Sequence, residues 1–365
     1  MENLLVNKVA AVKKVRQAAE YQKKKQACIL TGLAGSSKPV FFAAADKLLG
    51  GKGSMAFVTA SREEIRTYRR ELNYLYPDLP MQELYPVSLP RVQADTQSLE
   101  LQAGRAAALR FLSGEERGIV FITAEALQQK QLRPSGMSGK ALQLAVGEEH
   151  EQRNIAAALL DLGYERTEQV DALGQFCLRG DILDVYPINS SAAVRIEWFD
   201  NELDAMRSFD VDTQRSLQTL TSIKIAPLKV DESFSYDADI FEYCAADTMV
   251  VVDEPVHVFS MLEKLDKENK EHASELFNKQ ELIEQLAANG AVLVSALGHS
   301  YLQQLPSLNI PVRAVAPYNK NTNLLVEDLQ NWLAEGITPL IMLSGSIKAR
   351  GFADNLRNYG LKGHF

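Results

Sequence analysis

Along the first third of the chain, apolar residues gather in short unbroken runs separated by stretches with helical spacing. Ala27–Leu30, Ala56–Thr59 and Gly118–Thr123 have strand length, and unbroken apolar runs suit strands covered on both faces. Ser61 followed three residues later by Glu64 is a capping-box signature, and the helix it opens is expected to stop before Pro77. A helical segment around Ala106–Leu112 precedes the third run. Strands separated by helices predict a parallel sheet with helices packed on it.

Beyond residue 130 the pattern changes. A helix near Asn154–Leu162 leads into four closely spaced candidate strands, Gln175–Leu178, Asp181–Tyr186, Val194–Phe199 and Leu203–Phe209. Asp200 and Asn201 tolerate positive φ and sit between the last two like a two-residue hairpin turn. Ile196 and Trp198 share a strand face and are assigned to the core. The stretch predicts a small antiparallel α+β domain inserted into the first one. Strand–helix alternation then resumes with Thr248–Val252, a charged helical stretch over Leu262–Ala288, and Ala291–Ala296, with Gly290 placed to end the helix. After Pro311 and Pro317, Leu324–Ala334 reads as a helix, Ile337–Leu343 as a buried strand and Ser346–Asn358 as a helix before Gly360. This tail has fewer strands than a βαβ layer needs, so the chain is expected to stop inside a domain.

Composition narrows the function classes. A chain of 365 residues exceeds what one core usually organises. No apolar run approaches the roughly 20 residues that cross a bilayer, and Lys8, Lys13 and Lys14 interrupt any signal-peptide pattern, so a cytoplasmic protein with no membrane partner is expected. Cys28, Cys177 and Cys244 are odd in number and far apart, which argues against a disulfide framework. The five histidines show no metal-ligand spacing, so neither metal nor cofactor is expected. A net charge of −8 gives the whole chain no footprint for duplex DNA. Residues 8–25 are the local exception, with Lys8, Lys13, Lys14, Arg16, Lys23, Lys24 and Lys25 against Glu20. Because Val9, Val12, Val15 and Ala19 fall at near-helical spacing there, the run reads as an amphipathic helix with a solvated basic face.

The loop Thr31–Pro39 follows a strand and precedes a helix, where a phosphate-binding loop of form G-x-x-x-x-G-K-[ST] belongs. Gly32 and Lys38 stand at the required positions. Ser37 replaces the glycine that lets backbone N–H groups close round phosphates, and Pro39 replaces the hydroxyl residue that holds Mg²⁺. The loop therefore reads as degenerate and inactive. Val250–Glu254 resembles the apolar strand ending in Asp-Glu that supplies the magnesium partner, and it reads as an inherited remnant with no nucleotide to serve.

The middle of the chain carries a more specific pattern. Leu162-Gly163-Tyr164-Glu165-Arg166, Gly174 through Pro187, Arg195 through Asp200 and Phe209 through Ser216 resemble, in order, the UvrB-homology region of bacterial transcription-repair coupling factors (Mfd). The likeness continues upstream through Leu84-Tyr85-Pro86 and Thr123 through Leu127. It departs at Asp181, where the family usually has glycine. UvrB itself resembles the same fold but keeps an intact phosphate loop and a long aromatic β-hairpin, for which the short passage from Pro90 to the helical region Asp95–Leu112 leaves no room.

The resemblance implies an α/β fold: a degenerate P-loop, helicase-like parallel sheet domain, interrupted by a small antiparallel α+β inserted domain and followed by part of a further small α/β domain. Expected boundaries are 1–128 and 216–305 for the two halves of the first domain, 129–215 for the insert and 306–365 for the start of the last. It also implies a non-catalytic module that recruits UvrA to stalled transcription complexes in nucleotide excision repair. Arg166, Phe176 and Arg179 are the expected contacts, although strand alternation puts Phe176 opposite Arg179 and Arg179 has Asp181 and Asp184 close by as partners within its own domain. The ATP-driven translocase, and binding to RNA polymerase and DNA, belong in that family to downstream domains. The UvrA surface is expected to be covered by the protein's own C-terminal part in the full-length factor. The competing expectation is a UvrB-like, ATP-dependent damage-verification subunit that binds DNA.

Overall fold

The computed structural model describes residues 4–89, 99–134, 141–228, 236–296, 304–313, 315, 317–341, 343 and 345–363. The larger of two compact units runs from Val6 to Pro311, and Leu4, Leu5 and the residues from Val312 onward belong to the second.

Helix α1 (Leu4–Ala10), from Val6 onward in the larger unit, and α2 (Lys13–Lys23) precede strand β1 (Cys28–Thr31) and helix α3 (Ser37–Leu48). Strand β2 (Met55–Thr59), helix α4 (Arg62–Leu75), strand β3 (Met81–Leu84), helix α5 (Leu99–Ser113), strand β4 (Ile119–Thr123) and helix α6 (Ala124–Gln128) follow. The expected cap is present: the Ser61 N–H donates to Glu64 Oε2 at 3.0 Å, and α4 ends two residues before Pro77. The basic run from residue 8 to 25 is two helices rather than one. Val12 sits at the break and is exposed, while Val15, Ala18, Ala19 and Gln22 form the buried face of α2.

The next stretch is antiparallel, apart from one parallel edge pair. Strands β5 (Gln131–Leu132) and β6 (Leu142–Ala145) lead to helix α7 (Gln152–Asp161). Six strands then follow: β7 (Glu165–Arg166), β8 (Gln175–Arg179), β9 (Ile182–Val185), β10 (Ala193–Phe199), β11 (Glu202–Phe209) and β12 (Ser216–Leu220). They form one sheet in the order β12-β11-β10-β9-β8-β7, and only β7–β8 is parallel. Phe199 pairs with Glu202 across the predicted turn, with Asp200 at φ 56°. At the β8–β9 turn Gly180 takes positive φ (57°), so Asp181 is under no demand for glycine. Because β12 hydrogen-bonds to β11, the sheet continues past residue 215, and strand β13 (Ser222–Ile225) returns to pair with β6. One face of the sheet is buried with α7, β6 and β13: Ile155, Leu159, Leu144 and Ile225 pack on Phe176, Leu183, Val185, Val194, Ile196 and Trp198.

Strand β14 (Tyr236–Ala238) pairs with β5, after which the parallel pattern resumes with β15 (Met249–Asp253), β16 (Val292–Ser295) and β17 (Ser307–Asn309). The parallel sheet has the order β17-β1-β16-β15-β2-β4-β3, so its strands come from both sides of the antiparallel stretch. Its faces are covered separately. Leu30, Phe57, Phe121, Val251 and Val294 meet α1–α4, whereas Val58, Val120, Ile122, Val252 and Leu293 meet the other helices. The stretch expected to be helical from Leu262 to Ala288 is instead α8 (Pro255–Glu268), a 3₁₀ segment and α9 (Lys279–Ala288). Asn278 restarts the helix, accepting from the Glu281 N–H at 3.0 Å while the Glu281 carboxylate accepts from the Asn278 N–H at 2.8 Å. Gly290 ends it at φ 68°, where any Cβ would meet the Lys25 backbone at 2.7 Å.

The second unit contains helices α10 (Thr322–Ala334) and α11 (Ser346–Arg357), whose Val326, Leu329 and Leu356 pack together with Leu361. The buried strand expected at Ile337–Leu343 is not formed among the described residues. Ile337 and Leu340 are half exposed, and no described strand of this unit lies beside them to accept their backbone hydrogen bonds.

Candidate functional site

Two places carry the chemistry foreseen from the residues. The first is the loop between β1 and α3, which closes on itself. Gly32 (φ 85°) packs so tightly against the end of β17 that a Cβ would lie 2.7 Å from Asn309 Oδ1 and 2.8 Å from the Ile310 carbonyl oxygen. The Ser37 hydroxyl donates to the Ala34 carbonyl (2.7 Å) and accepts from the Ala34 N–H (3.0 Å). The N–H groups of Ser37 and Lys38 donate to the carbonyls of Ala34 and Gly35, and Pro39 has no N–H. The N–H groups of Ala34, Ser37 and Lys38, three of the donors that could ring a phosphate, are thus spent inside the loop.

Lys38 is equally engaged. Its Nζ donates to Asp253 Oδ1 at 2.6 Å and to Glu254 Oε1 at 2.8 Å, reaching across β16 to the end of β15. Burial pulls the pKa of the ammonium down, but the hydrogen bonds and charges of the two carboxylates outweigh that effect and hold it above its ordinary value. Glu254 is itself fixed, with φ at 41° and its carboxylate accepting from the Ala296 N–H at 3.0 and 3.2 Å. The hydroxyl of Tyr68 is buried with no hydrogen-bond partner among the described residues, and burial, followed by the charge of Asp253, pushes its pKa up. Asp253 and Glu254, read from sequence as a remnant, form one clasp with Lys38.

The second place is the antiparallel sheet, where Arg166, Phe176 and Arg179 do not converge. Phe176 is fully buried, packed on the α7 side of the sheet. A side chain with no exposed surface cannot be a direct contact, so its expected role as a partner anchor is corrected to core packing. Arg166 is exposed on the edge strand in register with Phe176, which puts it on that same side. Arg179 lies on the opposite face, 53% exposed, and donates to Asp184 Oδ2 at 3.0 Å. Asp184 is buried, and Arg195 also grips it with two prongs at 2.6 and 2.8 Å. The Arg195 guanidinium lies 4.7 Å from the Phe209 ring centroid, and its pKa is raised chiefly by the hydrogen bond to Asp184. Beside it, Arg207 pairs with Glu197. The registers Asp184↔Arg195 and Arg195↔Arg207 place these side chains in one row.

Sequence reasoning missed Arg195, Arg207 and Phe199 as members of this face. By strand alternation Phe199 shares the side of Arg195 and Glu197, and it is 73% exposed. The signal was present in the alternation of Arg195, Glu197 and Phe199 opposite the core residues Ile196 and Trp198.

A model of the UvrB interaction domain family matches residues 142–230, the stretch that contains this sheet. The transcription-repair-coupling factor of Bacillus subtilis (strain 168) is 36% identical over 203 residues, covering 55% of this chain and 17% of its own length. That of Escherichia coli (strain K12) is 28% identical over 165 residues, covering 45% of this chain and 14% of its own. Over about half its length the chain is similar to the transcription-repair-coupling factors, and its residues 142–230 match the UvrB interaction domain family. It matches about a sixth of the length of these relatives. A solved structure titled "Truncated XPD" overlaps 82% of this chain and 99% of its own with a TM-score of 0.33 and 9% identity, a likeness too slight to carry an argument. Among the described residues, no group of side chains could hold a metal ion, and no helix is long and apolar enough to cross a membrane.

Proposed function

We propose that this chain is a docking module of transcription-coupled nucleotide excision repair, that it recruits UvrA, and that it does so without nucleotide chemistry of its own. The observation that carries the reading is the sheet face on which Arg179 and Arg195 hold the buried Asp184 and Arg207 pairs with Glu197 beside them, within the stretch that matches the UvrB interaction domain. Guanidinium forks held by a buried carboxylate are positioned before a partner arrives, and Phe199 offers an aromatic that a partner can desolvate. Arg166 and Arg179 stay in the proposed interface although they lie on opposite faces. Both are near the β7–β8 edge, and a partner clasping that edge reaches each side.

The closed loop supports the second half of the reading. A triphosphate would have to displace two carboxylates from Lys38 and break the loop's own hydrogen bonds from the N–H groups of Ala34, Ser37 and Lys38. The same geometry counts against the UvrB-like, ATP-dependent alternative. RNA polymerase and duplex translocation are assigned to other parts of the full-length factor, and its C-terminal part is proposed to cover the UvrA surface until polymerase is engaged.

Titration of UvrA with folded Arg166→Ala and Arg179→Ala variants tests the docking. Each is expected to weaken binding by about 2 kcal/mol, roughly thirtyfold. Unchanged affinity in both removes these residues from the interface. Masking predicts that this chain binds UvrA more tightly than the full-length factor does, and equal affinities refute it.

A further inference from the structure

The outer surface of α1 and α2 carries charge that neither the clasp nor the arginine face uses. Lys8, Lys13, Lys14, Arg16, Lys23, Lys24 and Lys25 are all exposed there, while Val15, Ala18, Ala19 and Gln22 anchor the inner side. Lys47, at the end of α3, adds a cation beside α1 through its contact with Asn7. The acid within this run, Glu20, is paired with Lys23 at 2.9 Å. Lys14, Arg16 and Lys25 each donate to a backbone carbonyl, whereas Lys8, Lys13 and Lys24 have no ion pair among the described residues. Helix stability does not account for the pattern. The first turn of α2 holds Lys13, Lys14 and Arg16 with no acid and no side-chain cap, so three cations sit at the positive end of the helix dipole.

What such a surface can bind follows from what it lacks. Centres of protein interfaces are poor in lysine and need an aromatic or apolar anchor, but the large apolar residues exposed here, Leu4 at the start of α1 and Val12 at the helix break, are about two turns apart and form no cluster. Single-stranded nucleic acid needs aromatic side chains for its bases to stack on, and the aromatic of this run, Tyr21, is partly buried against the core. A duplex backbone needs only cations at phosphate spacing. From Lys13 to Lys24 the helix rises about 16 Å, long enough to meet several phosphates.

We propose that this ridge is a second binding surface, for the phosphate backbone of duplex DNA and without sequence preference. The ridge is separate from the UvrA-docking reading, which contributes only the choice of DNA as the duplex at hand. The net charge of −8 sets the limits of the contact: attraction is confined to the ridge, and binding is weak and salt-dependent.

The test is fluorescence anisotropy of a labelled duplex of random sequence titrated with the intact chain, from low to physiological salt. Lys8→Ala/Lys13→Ala/Lys24→Ala is expected to weaken binding at least tenfold at low salt and to flatten the log–log salt slope by about 3. Lys264→Ala/Lys267→Ala, on α8, is expected to change neither. The triple variant is also titrated with UvrA, where an unchanged affinity separates this surface from the docking face. The proposal is overturned if the wild-type chain fails to bind duplex DNA at low salt, or if the triple variant binds like wild type. It is equally overturned if the α8 control loses as much, if duplex RNA binds more tightly, or if poly-glutamate competes as well as DNA at equal charge. Should the triple variant unfold, Lys13→Glu alone, tested against Lys264→Glu, gives the same discrimination.

Discussion

Replacing Lys38 by methionine keeps most of the side chain's length and deletes its charge. The change leaves Asp253, with 9% of its side chain exposed, and Glu254, with 21% exposed, facing each other without a cation. Removing one partner of a buried ion pair destabilises by about 3–5 kcal/mol, because the remaining charge stays desolvated. The low end applies here, since Glu254 keeps the Ala296 N–H and part of its hydration. A loss of about 3 kcal/mol corresponds to a thermal midpoint lower by roughly 6–10 °C. The pH dependence gives a sharper test. The folded-state pKa of Lys38 is raised above its ordinary value, so the clasp's contribution is fully present below the unfolded lysine value of about 10.4 and is lost as pH rises through the folded pKa. Urea unfolding of wild type and Lys38→Met is therefore expected to show a constant gap from pH 6 to about 9 that narrows above about 10.5. Adding Asp253→Asn and Glu254→Gln to Lys38→Met removes the stranded charges and is expected to restore most of the loss. A Lys38→Met variant as stable as wild type at pH 7, or a gap that persists unchanged at pH 11, refutes the clasp as a stabilising element.

Phe176→Ala is expected to lower stability by about 3–5 kcal/mol, measured by chemical denaturation, because Phe176 is 0% exposed; an unfolding midpoint at the wild-type value refutes core packing. ATP with Mg²⁺ at millimolar concentration is expected to leave the thermal midpoint unmoved, and a clear upward shift contradicts the closed loop. Burial pushes the thiols of Cys28 and Cys244 up to about 12, so neither is expected to react with a disulfide reagent at pH 7.5 until urea unfolds the chain. Rapid labelling of either thiol in the native state refutes that reading.

The elements legible in the sequence are those whose cause is local or repeats along the chain. Ser61 and Glu64 specify their cap within one turn, and Asp200 sits at the φ 56° turn position that its type tolerates. The unbroken runs at β2, β4 and β15 mark strands buried on both faces. Strands β3, β12 and β17 gave no such signal, since Met-Gln-Glu-Leu, Ser-Leu-Gln-Thr-Leu and Ser-Leu-Asn contain few apolar residues. Each lies at an edge of its sheet, where the neighbouring strand's free backbone groups recruit it. The reverse error occurred at Ile337–Leu343. Apolar composition suited a strand there, but strand pairing is a property of the neighbour as much as of the segment.

The candidate sites divide along the same line. That the loop lost Ser37's glycine and Pro39's hydroxyl could be read residue by residue, and those losses predict only what the loop no longer does. The present role of Lys38 depends on carboxylates 215 and 216 residues away, which the sheet order brings together across β16. Once the phosphate donors are spent, two carboxylates at that strand end would repel each other unless a cation stays between them. The lysine that in a working loop binds phosphate is the nearest one available. In the proposed reading, loss of nucleotide binding and retention of Lys38, Asp253 and Glu254 thus have one physical cause. The same holds in the antiparallel sheet, where Asp184 looked from sequence like a competitor for Arg179 and in the fold is the anchor that Arg179 and Arg195 share.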